Sequence, residues 1–437
     1  MNNQEYLRRC FEELTLEERE KVTAQLSQID STVLLQQEML LQQHQVRSSS
    51  SYKPFVDFSM SGNAEDLKLG KELVANGTVG CLMIAGGQGT RLHFDGPKGM
   101  YPVSLINHKS LFQILSEKVI AAGKQVKRLL NLAIMTSPTN HEATVNFFEK
   151  NHLFGLKREQ LSFFSQGELP FLSDKGELFL ETPKKIAQGP DGNGGALHHF
   201  YESGIWEKWS HQGIKILNFI LVDNPLADPF DYELIGHHHR KQNDIVVKCI
   251  ARDNLDESLG VLAKRNGQVV VVEYSEMDDQ MRYAKTSDNK AEYLCANLSL
   301  FSFGMDFIKD LAQSDFQMPL HKAFKAVKRY NPFTEPPQLE NCKAWKFEKF
   351  IFDVFSQTQK ISTLLYPRED CFAPLKNLNG ENSIATVQAA LLKRDQKTLS
   401  KLTGKPCDTS PLELPQEYYY PTPEFLSTLT PEQNGSL

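Results

Sequence analysis

The sequence predicts an α/β fold: a central, mostly parallel sheet with helices on both faces, a helical N-terminal arm and a small C-terminal segment. Three observations predict it. Between Leu67 and about Ile250 apolar runs alternate with amphipathic stretches, the pattern of a parallel sheet covered on both sides. The apolar run Val79 to Ala85 empties directly into a glycine-rich loop. Residues 1 to 47 carry Val22, Leu26, Ile29, Val33 and Leu40 at helical spacing among glutamines and charges, and Ser48 to Ser51 break that pattern.

At 437 residues the chain exceeds what one hydrophobic core usually serves. The expected organisation is an arm and linker over 1–66, a main domain over 67–355 and a short segment over 356–437. The arm is expected to lie against the main body, because its apolar positions keep no strict heptad. In the main domain the pattern predicts a helix from Ser110 to Ala121, a strand from Leu132 to Thr136, a helix from Asn140 to Lys150 and a strand from Ile214 to Val222. From Ile250 to Phe303 short strands dominate, Val269 to Tyr274 and Tyr293 to Phe301 among them. The proline-bearing last eighty residues suggest an appended segment.

Composition excludes several classes. A net charge of −6 with interspersed signs gives no basic footprint for nucleic acid. No apolar stretch approaches the ~18 residues of a membrane span; Ile216 to Val222, the longest candidate, is broken by Asn218. Glu5, Arg8, Arg9, Glu12 and Glu13 stand where a secretory leader needs an apolar core, and the seven cysteines form no Cys-x-x-Cys pair. A cytoplasmic protein with reduced thiols and no structural zinc is expected, a monomer or weak homo-oligomer without nucleic-acid or membrane partners.

The chemistry starts at Gly86-Gly87-Gln88-Gly89-Thr90-Arg91-Leu92, followed after a short turn by Pro97-Lys98-Gly99. Glycines let the backbone turn several N–H groups toward one anion, and Arg91 and Lys98 add the positive charge a polyphosphate needs. A P-loop would place Gly-Lys-Ser/Thr here, and none follows. A dinucleotide turn would have glycine where Leu92 stands.

Later stations have plain and functional readings side by side. Gly189 to Gly195, opening a helix at Ala196, is either a surface turn or a second ligand loop. Asp223 after the strand ending at Val222 is either a helix cap or a hard oxygen ligand for Mg²⁺. Lys376 is either solvated or a phosphate contact, and Phe350 and Phe352, alternating with Ile351, read as core on pattern alone. His237-His238-His239-Arg240 is expected as a solvated helix face, since neighbouring positions on a helix diverge, and Tyr418 to Tyr420 as an extended tail docked on the body.

Taken in order, these stations resemble the eukaryotic-type UDP-N-acetylglucosamine pyrophosphorylases, within the wider UDP-sugar pyrophosphorylase family. The resembling segments are Ala85 to Leu92, Pro97 to Tyr101, Ile134 to Ser137, Phe163 to Gly167 with Leu169-Pro170, Pro190 to Gly195, Val222 to Asn224, Val271 to Glu276, Glu348 to Asp353 and Pro374 to Asn377. The resemblance implies a Rossmann-like nucleotidyltransferase sheet. It implies that Ala85, Gly86 and Gly87 line the uridine and phosphate end, that Gln166 and Gly192 read the uracil, and that Asn193 meets the ribose or phosphates. Gly260, Glu273, Asn297, Phe350 and Phe352 would surround the sugar, and Arg91, Lys98 and Lys376 would supply charge, with Asp223 holding Mg²⁺.

The implied reaction joins UTP and a sugar-1-phosphate, N-acetylglucosamine-1-phosphate first, by attack of a phosphate oxygen on the α-phosphorus with loss of pyrophosphate. The nucleophile is already an anion, so alignment and charge stabilisation suffice without a general base. A UDP-glucose or broad-range pyrophosphorylase and a catalytically silent UDP-sugar-binding protein are the alternatives. A nicotinamide oxidoreductase is disfavoured by Leu92. Two departures stand out: His93 replaces a glycine common in the family, and Cys295-Ala296-Asn297 replaces Ala-Gly-Asn, so a sugar pocket of altered shape is expected.

Overall fold

The computed structural model describes residues 5–42 and 52–429; Ser48 to Ser51 lie outside them. Two compact units result, each assembled from segments distant in sequence. One comprises Met1–Arg47, Gln166–Gly195 and Phe316–Asp353, the other Ser48–Ser165, Ala196–Asp315 and Val354–Leu437.

In the second unit the central sheet runs Ser59–Met60, Ile361–Tyr366, Ile245–Ala251, Cys295–Gly304, Ile216–Leu221, Val79–Ile84, Leu132–Thr136, Leu161–Ser165. Cys295–Gly304 is antiparallel to both neighbours, and the other pairings along this order are parallel. The α/β architecture expected from the alternation is therefore present. Every residue of Val79–Ile84 is buried, as befits a strand covered on both faces. Gly80 carries no side chain because a Cβ there would overlap the fully buried Trp209.

Local signals account for the element boundaries. Ser110 caps the helix Leu111–Val126 by accepting from the Gln113 N–H at 3.1 Å. The helix runs further than expected, to Lys127 in the left-handed region. The strand expected to begin at Ile214 begins at Ile216. The last eighty residues do not simply append: Ile361–Tyr366 enters the main sheet in register with Ile245 to Ile250, the helix Ile384–Thr403 buries Val387, and Tyr420 sits in the core with its hydroxyl on Asp228. That strand's partner lies more than a hundred residues upstream, beyond any local pattern.

The His237 to Arg240 stretch is not the solvated face expected: His239 alone of the four is exposed. His237 and His238 are buried because the helix Tyr232–Lys241 crosses Ala64–Ala75 at two glycines: a Cβ on Gly70 would overlap the Tyr232 carbonyl, and one on Gly236 the Asp66 carbonyl. Arg240 then grips Asp66 with Nε at 2.6 Å and Nη2 at 3.0 Å. The His238 Nδ1 lies 3.2 Å from the Ser302 carbonyl, and burial pushes its pKa down to about 4, so the ring is neutral.

The first unit packs the helices Glu5–Glu13, Leu16–Gln28 and Ser31–Gln42 around Leu7, Cys10, Val22, Leu34, Leu169, Leu180 and Phe347. A long hairpin, His321–Asn331 with Gln338–Glu348, continues onto Leu172–Ser173. The buried Gln37 carboxamide donates to the Pro170 carbonyl at 3.1 Å. The arm thus shares a core with residues that follow the first half of the sheet.

Substituting Gly236→Ala should lower unfolding free energy by at least about 2 kcal/mol, the cost of overpacking a backbone crossing, read as a drop in the urea midpoint. An unchanged midpoint would contradict the glycine crossing.

Candidate active site

The site in the second unit is built by two parallel strands that stop level with each other. Ile84 pairs with Leu221, and the Val222 N–H donates to the Ile84 carbonyl at 3.0 Å. The glycine loop and Asp223 therefore leave the sheet side by side, beyond the carboxyl ends of the strands where open α/β sheets bind ligands.

The loop is a tight hairpin. Gln88 bridges Pro97, the Gly89 N–H reaches the Gly96 carbonyl at 2.9 Å, and the Lys98 N–H reaches the Gly87 carbonyl at 3.0 Å. Asn140, buried just before the helix His141–Lys150, donates from Nδ2 to the Ala85 carbonyl at 3.0 Å and accepts from the Ser137 N–H at 2.8 Å. Gly99 lets the Lys98–Met100 turn lie on the Phe112 ring, which a Cβ would strike. Lys98 is thereby aimed at Asp223, Nζ to Oδ2 3.5 Å. The Leu375 N–H donates to the Asp223 carbonyl at 2.8 Å, which brings half-buried Lys376 to the same strand end.

Ala85, Gly86, Gly87, Lys98, Asp223 and Lys376 are thus linked through one continuous set of contacts. Arg91 stands exposed on the Thr90–Leu92 turn. His93 follows it at φ 51°, a left-handed position that explains why glycine suits it.

A second cluster forms where Cys295–Gly304 bulges past Ile245–Ala251: Cys249 faces Asn297 but Lys248 faces Leu300. Ser299 takes φ 53°, and Asn297 Oδ1 accepts its N–H at 3.1 Å. The Asn297 N–H donates to the Gly260 carbonyl at 2.9 Å, and a Cβ on Gly260 would lie 2.9 Å from Glu273 Oε1. Gly260, Glu273 and Asn297 are brought together. Ala296 is fully buried among core residues.

The first unit joins two motifs that looked independent in sequence. Gly192, at φ 89°, and Gly194 allow Lys349 to approach so closely that a Cβ on either would collide with it. The Lys349 N–H donates to the Asp191 carbonyl at 2.7 Å and its carbonyl accepts from Gly194 at 3.0 Å. Asn193 Oδ1 accepts the Ile351 N–H at 3.1 Å. The Phe350 and Phe352 ring centroids lie 5.2 Å apart, and the His321 ring lies 4.5 Å from Phe350 at a tilt of 44°, with Nε2 2.9 Å from Asp353 Oδ2. Gln166 is buried in this same unit. Sequence reasoning missed Asn140 and His321 and gave Asn224 no role beyond its place in the Val222 to Asn224 segment; an asparagine before a helix reads as an ordinary cap, and nothing local distinguishes His321.

Residues 29–430 match the family model described as UTP–glucose-1-phosphate uridylyltransferase. The chain belongs to that family. Among curated relatives of these nucleotidyltransferases, a probable UDP-N-acetylglucosamine pyrophosphorylase of Dictyostelium discoideum is 31% identical over 369 residues, covering 79% of this chain and 76% of the relative. The UDP-N-acetylglucosamine pyrophosphorylase of Saccharomyces cerevisiae is 35% identical over 345 residues, 76% of this chain and 72% of its own length. A crystal structure of a putative UDP-N-acetylglucosamine pyrophosphorylase from Entamoeba histolytica superposes with a TM-score of 0.77 at 28% identity, covering 87% of this chain and 97% of that one. Among the described residues, no helix is long and apolar enough to cross a membrane.

Replacing Lys98 with alanine should leave the thermal midpoint near that of the parent and cut uridylyl transfer by about a hundredfold, the scale of losing one preorganised charge contact. Undiminished turnover in a folded Lys98→Ala protein would remove Lys98 from the reaction.

Proposed function

We propose that the protein transfers a uridylyl group from UTP to N-acetylglucosamine-1-phosphate, giving UDP-N-acetylglucosamine and pyrophosphate. The observation that carries this reading is the convergence of the glycine loop, Lys98, Asp223 and the Lys376 segment at two level strand ends. The chain carrying it is 31–35% identical to pyrophosphorylases named for that sugar nucleotide.

In this reading the loop amides after Ala85 receive the nucleotide phosphates, and the sugar phosphate oxygen attacks the α-phosphorus in line with the departing pyrophosphate. Lys98 and Lys376 meet the charge that develops as the bridge to the β-phosphorus breaks, and Arg91, exposed at the loop, supports the leaving group. The buried Asn297 uses Oδ1 on its own bulge, and in this reading its amide nitrogen donates to a sugar hydroxyl or acetamido carbonyl. Glu273 and Gly260 stand beside it. In the first unit Gln166, Gly192 and Asn193 are the candidates for the base and ribose, and Phe350 and Phe352 for an apolar wall.

Asp223 suits Mg²⁺: it is a hard oxygen donor at the strand end, and among the described residues no group of three His, Cys, Asp or Glu side chains forms a resident metal site. An ion with one protein carboxylate and the rest of its shell from phosphate and water fits that set. Bound there, Mg²⁺ would neutralise phosphate charge. The same reading takes the protein as a cytoplasmic enzyme, monomeric or weakly self-associating.

Two measurements test this. At saturating UTP and Mg²⁺, kcat/KM for N-acetylglucosamine-1-phosphate should exceed that for glucose-1-phosphate by at least about tenfold, or ~1.4 kcal/mol in transition-state binding. Parity or the reverse order would make the chain a UDP-glucose or broad-range enzyme, and absence of pyrophosphate from every sugar phosphate would make it a binding protein. Asp223→Asn should raise the Mg²⁺ concentration giving half-maximal rate and reduce turnover with it; a superimposable titration with full turnover would end the metal assignment.

A further inference from the structure

Asn224, next to Asp223, has a role that neither motif nor family membership assigns. Its side chain is 2% exposed and spends every polar atom on backbone. Nδ2 donates to the Cys371 carbonyl at 2.7 Å. Oδ1 accepts the Ala373 N–H at 3.1 Å and the Leu226 N–H at 3.3 Å. One carboxamide therefore holds the loop that follows the Ile216–Leu221 strand and, about a hundred and fifty residues later in the chain, the segment that leads into Leu375 and Lys376.

The other side of that loop is held too. Lys118, 1% exposed on the helix Leu111–Val126, donates from Nζ to the Pro225 carbonyl at 2.6 Å and to the Ala227 carbonyl at 2.8 Å. With the Leu375 N–H on the Asp223 carbonyl, the turn from Asp223 to Ala227 has no slack: it is tied to the helix behind it and to the Lys376 segment beside it.

We propose that Asn224 is a positioning residue for uridylyl transfer, fixing Lys376 relative to Asp223 through the Cys371 and Ala373 backbone. This rests on the reading above in which Lys376 and Asp223 act on the phosphates. With both side-chain polar atoms engaged on backbone, Asn224 acts through the segment it holds. Its effect is geometric: a displacement of about 1 Å in a charge contact is enough to cost a hundredfold in rate, and the Asn224 carboxamide sets the approach to Lys376, whose own N–H is held on the Asn382 carbonyl at 2.7 Å.

The test is a double-mutant cycle between Asn224 and Lys376, read as kcat. Asn224→Ser, which keeps a small polar group in the buried position, and Asn224→Ala should each lower kcat by about tenfold to a hundredfold. In the Lys376→Ala background the same changes should alter kcat by no more than about twofold, because the group they position is gone. Equal factors in both backgrounds would show a generally structural residue and overturn the proposal. A Lys376→Ala protein with full kcat would instead overturn the reading of Lys376 itself, a result the single mutant distinguishes. Should both Asn224 variants fail to fold, hydrogen exchange of the unmutated protein decides: the Ala373 and Leu375 amides should be protected and open together with those of Leu226 and Ala227. Free exchange at Ala373 and Leu375 beside a protected Leu226 would refute the tie.

Discussion

The pairing of Val79–Ile84 with Ile216–Leu221 is the constraint on which the site depends. Because Ile84 and Leu221 are partners, the chain leaves the sheet at the same level in two places nearly one hundred and forty residues apart in sequence. A shift of one residue in this parallel register would exchange the two faces of the strand and put a side chain where Gly80 leaves room for Trp209. The same packing that closes the core thus fixes where Asp223 meets the glycine loop. Elements with no chemistry of their own hold the ends: Asn140 on the Ala85 carbonyl, Phe112 under Gly99 and Asn224 on Cys371.

The glycines divide into those with open space where a Cβ would be and those that approach protein. Gly87 has open space where a Cβ would be, consistent with room for phosphate. Gly192 and Gly194 are filled instead by Lys349 and Phe350 backbone, so this second cluster first serves to dock its own chain. Any contact these residues make with a nucleotide is superimposed on that structural need. The same holds for Asn297, whose carboxamide stabilises the Ser299 bulge while remaining beside Glu273 and Gly260.

Sequence legibility followed the range of the interactions. Leu132–Thr136 was readable to the residue because burial and β-branching are local signals. Residue types at the glycine loop were informative because a sharp turn at an anion admits few side chains. Ile361–Tyr366 was passed over as part of an appended segment, since its membership in the sheet is decided by Ile245–Ala251. His237 and His238 read as solvent-facing because Gly70 and Gly236, the glycines that let the two helices touch, are unremarkable in sequence. Asn224 is a further case: it stands in the Val222 to Asn224 segment, but the distant backbone its buried carboxamide bridges leaves no local signal.

In the proposed reaction aligned charges drive a direct displacement at the α-phosphorus with no covalent enzyme intermediate. The stereochemical course tests it most directly. With one diastereomer of UTP in which sulfur replaces a non-bridging oxygen on the α-phosphorus, N-acetylglucosamine-1-phosphate and Mg²⁺, one in-line displacement predicts a UDP-sugar with inverted configuration at that phosphorus. Retention would require two displacements and a nucleophile on the protein, and would contradict the mechanism.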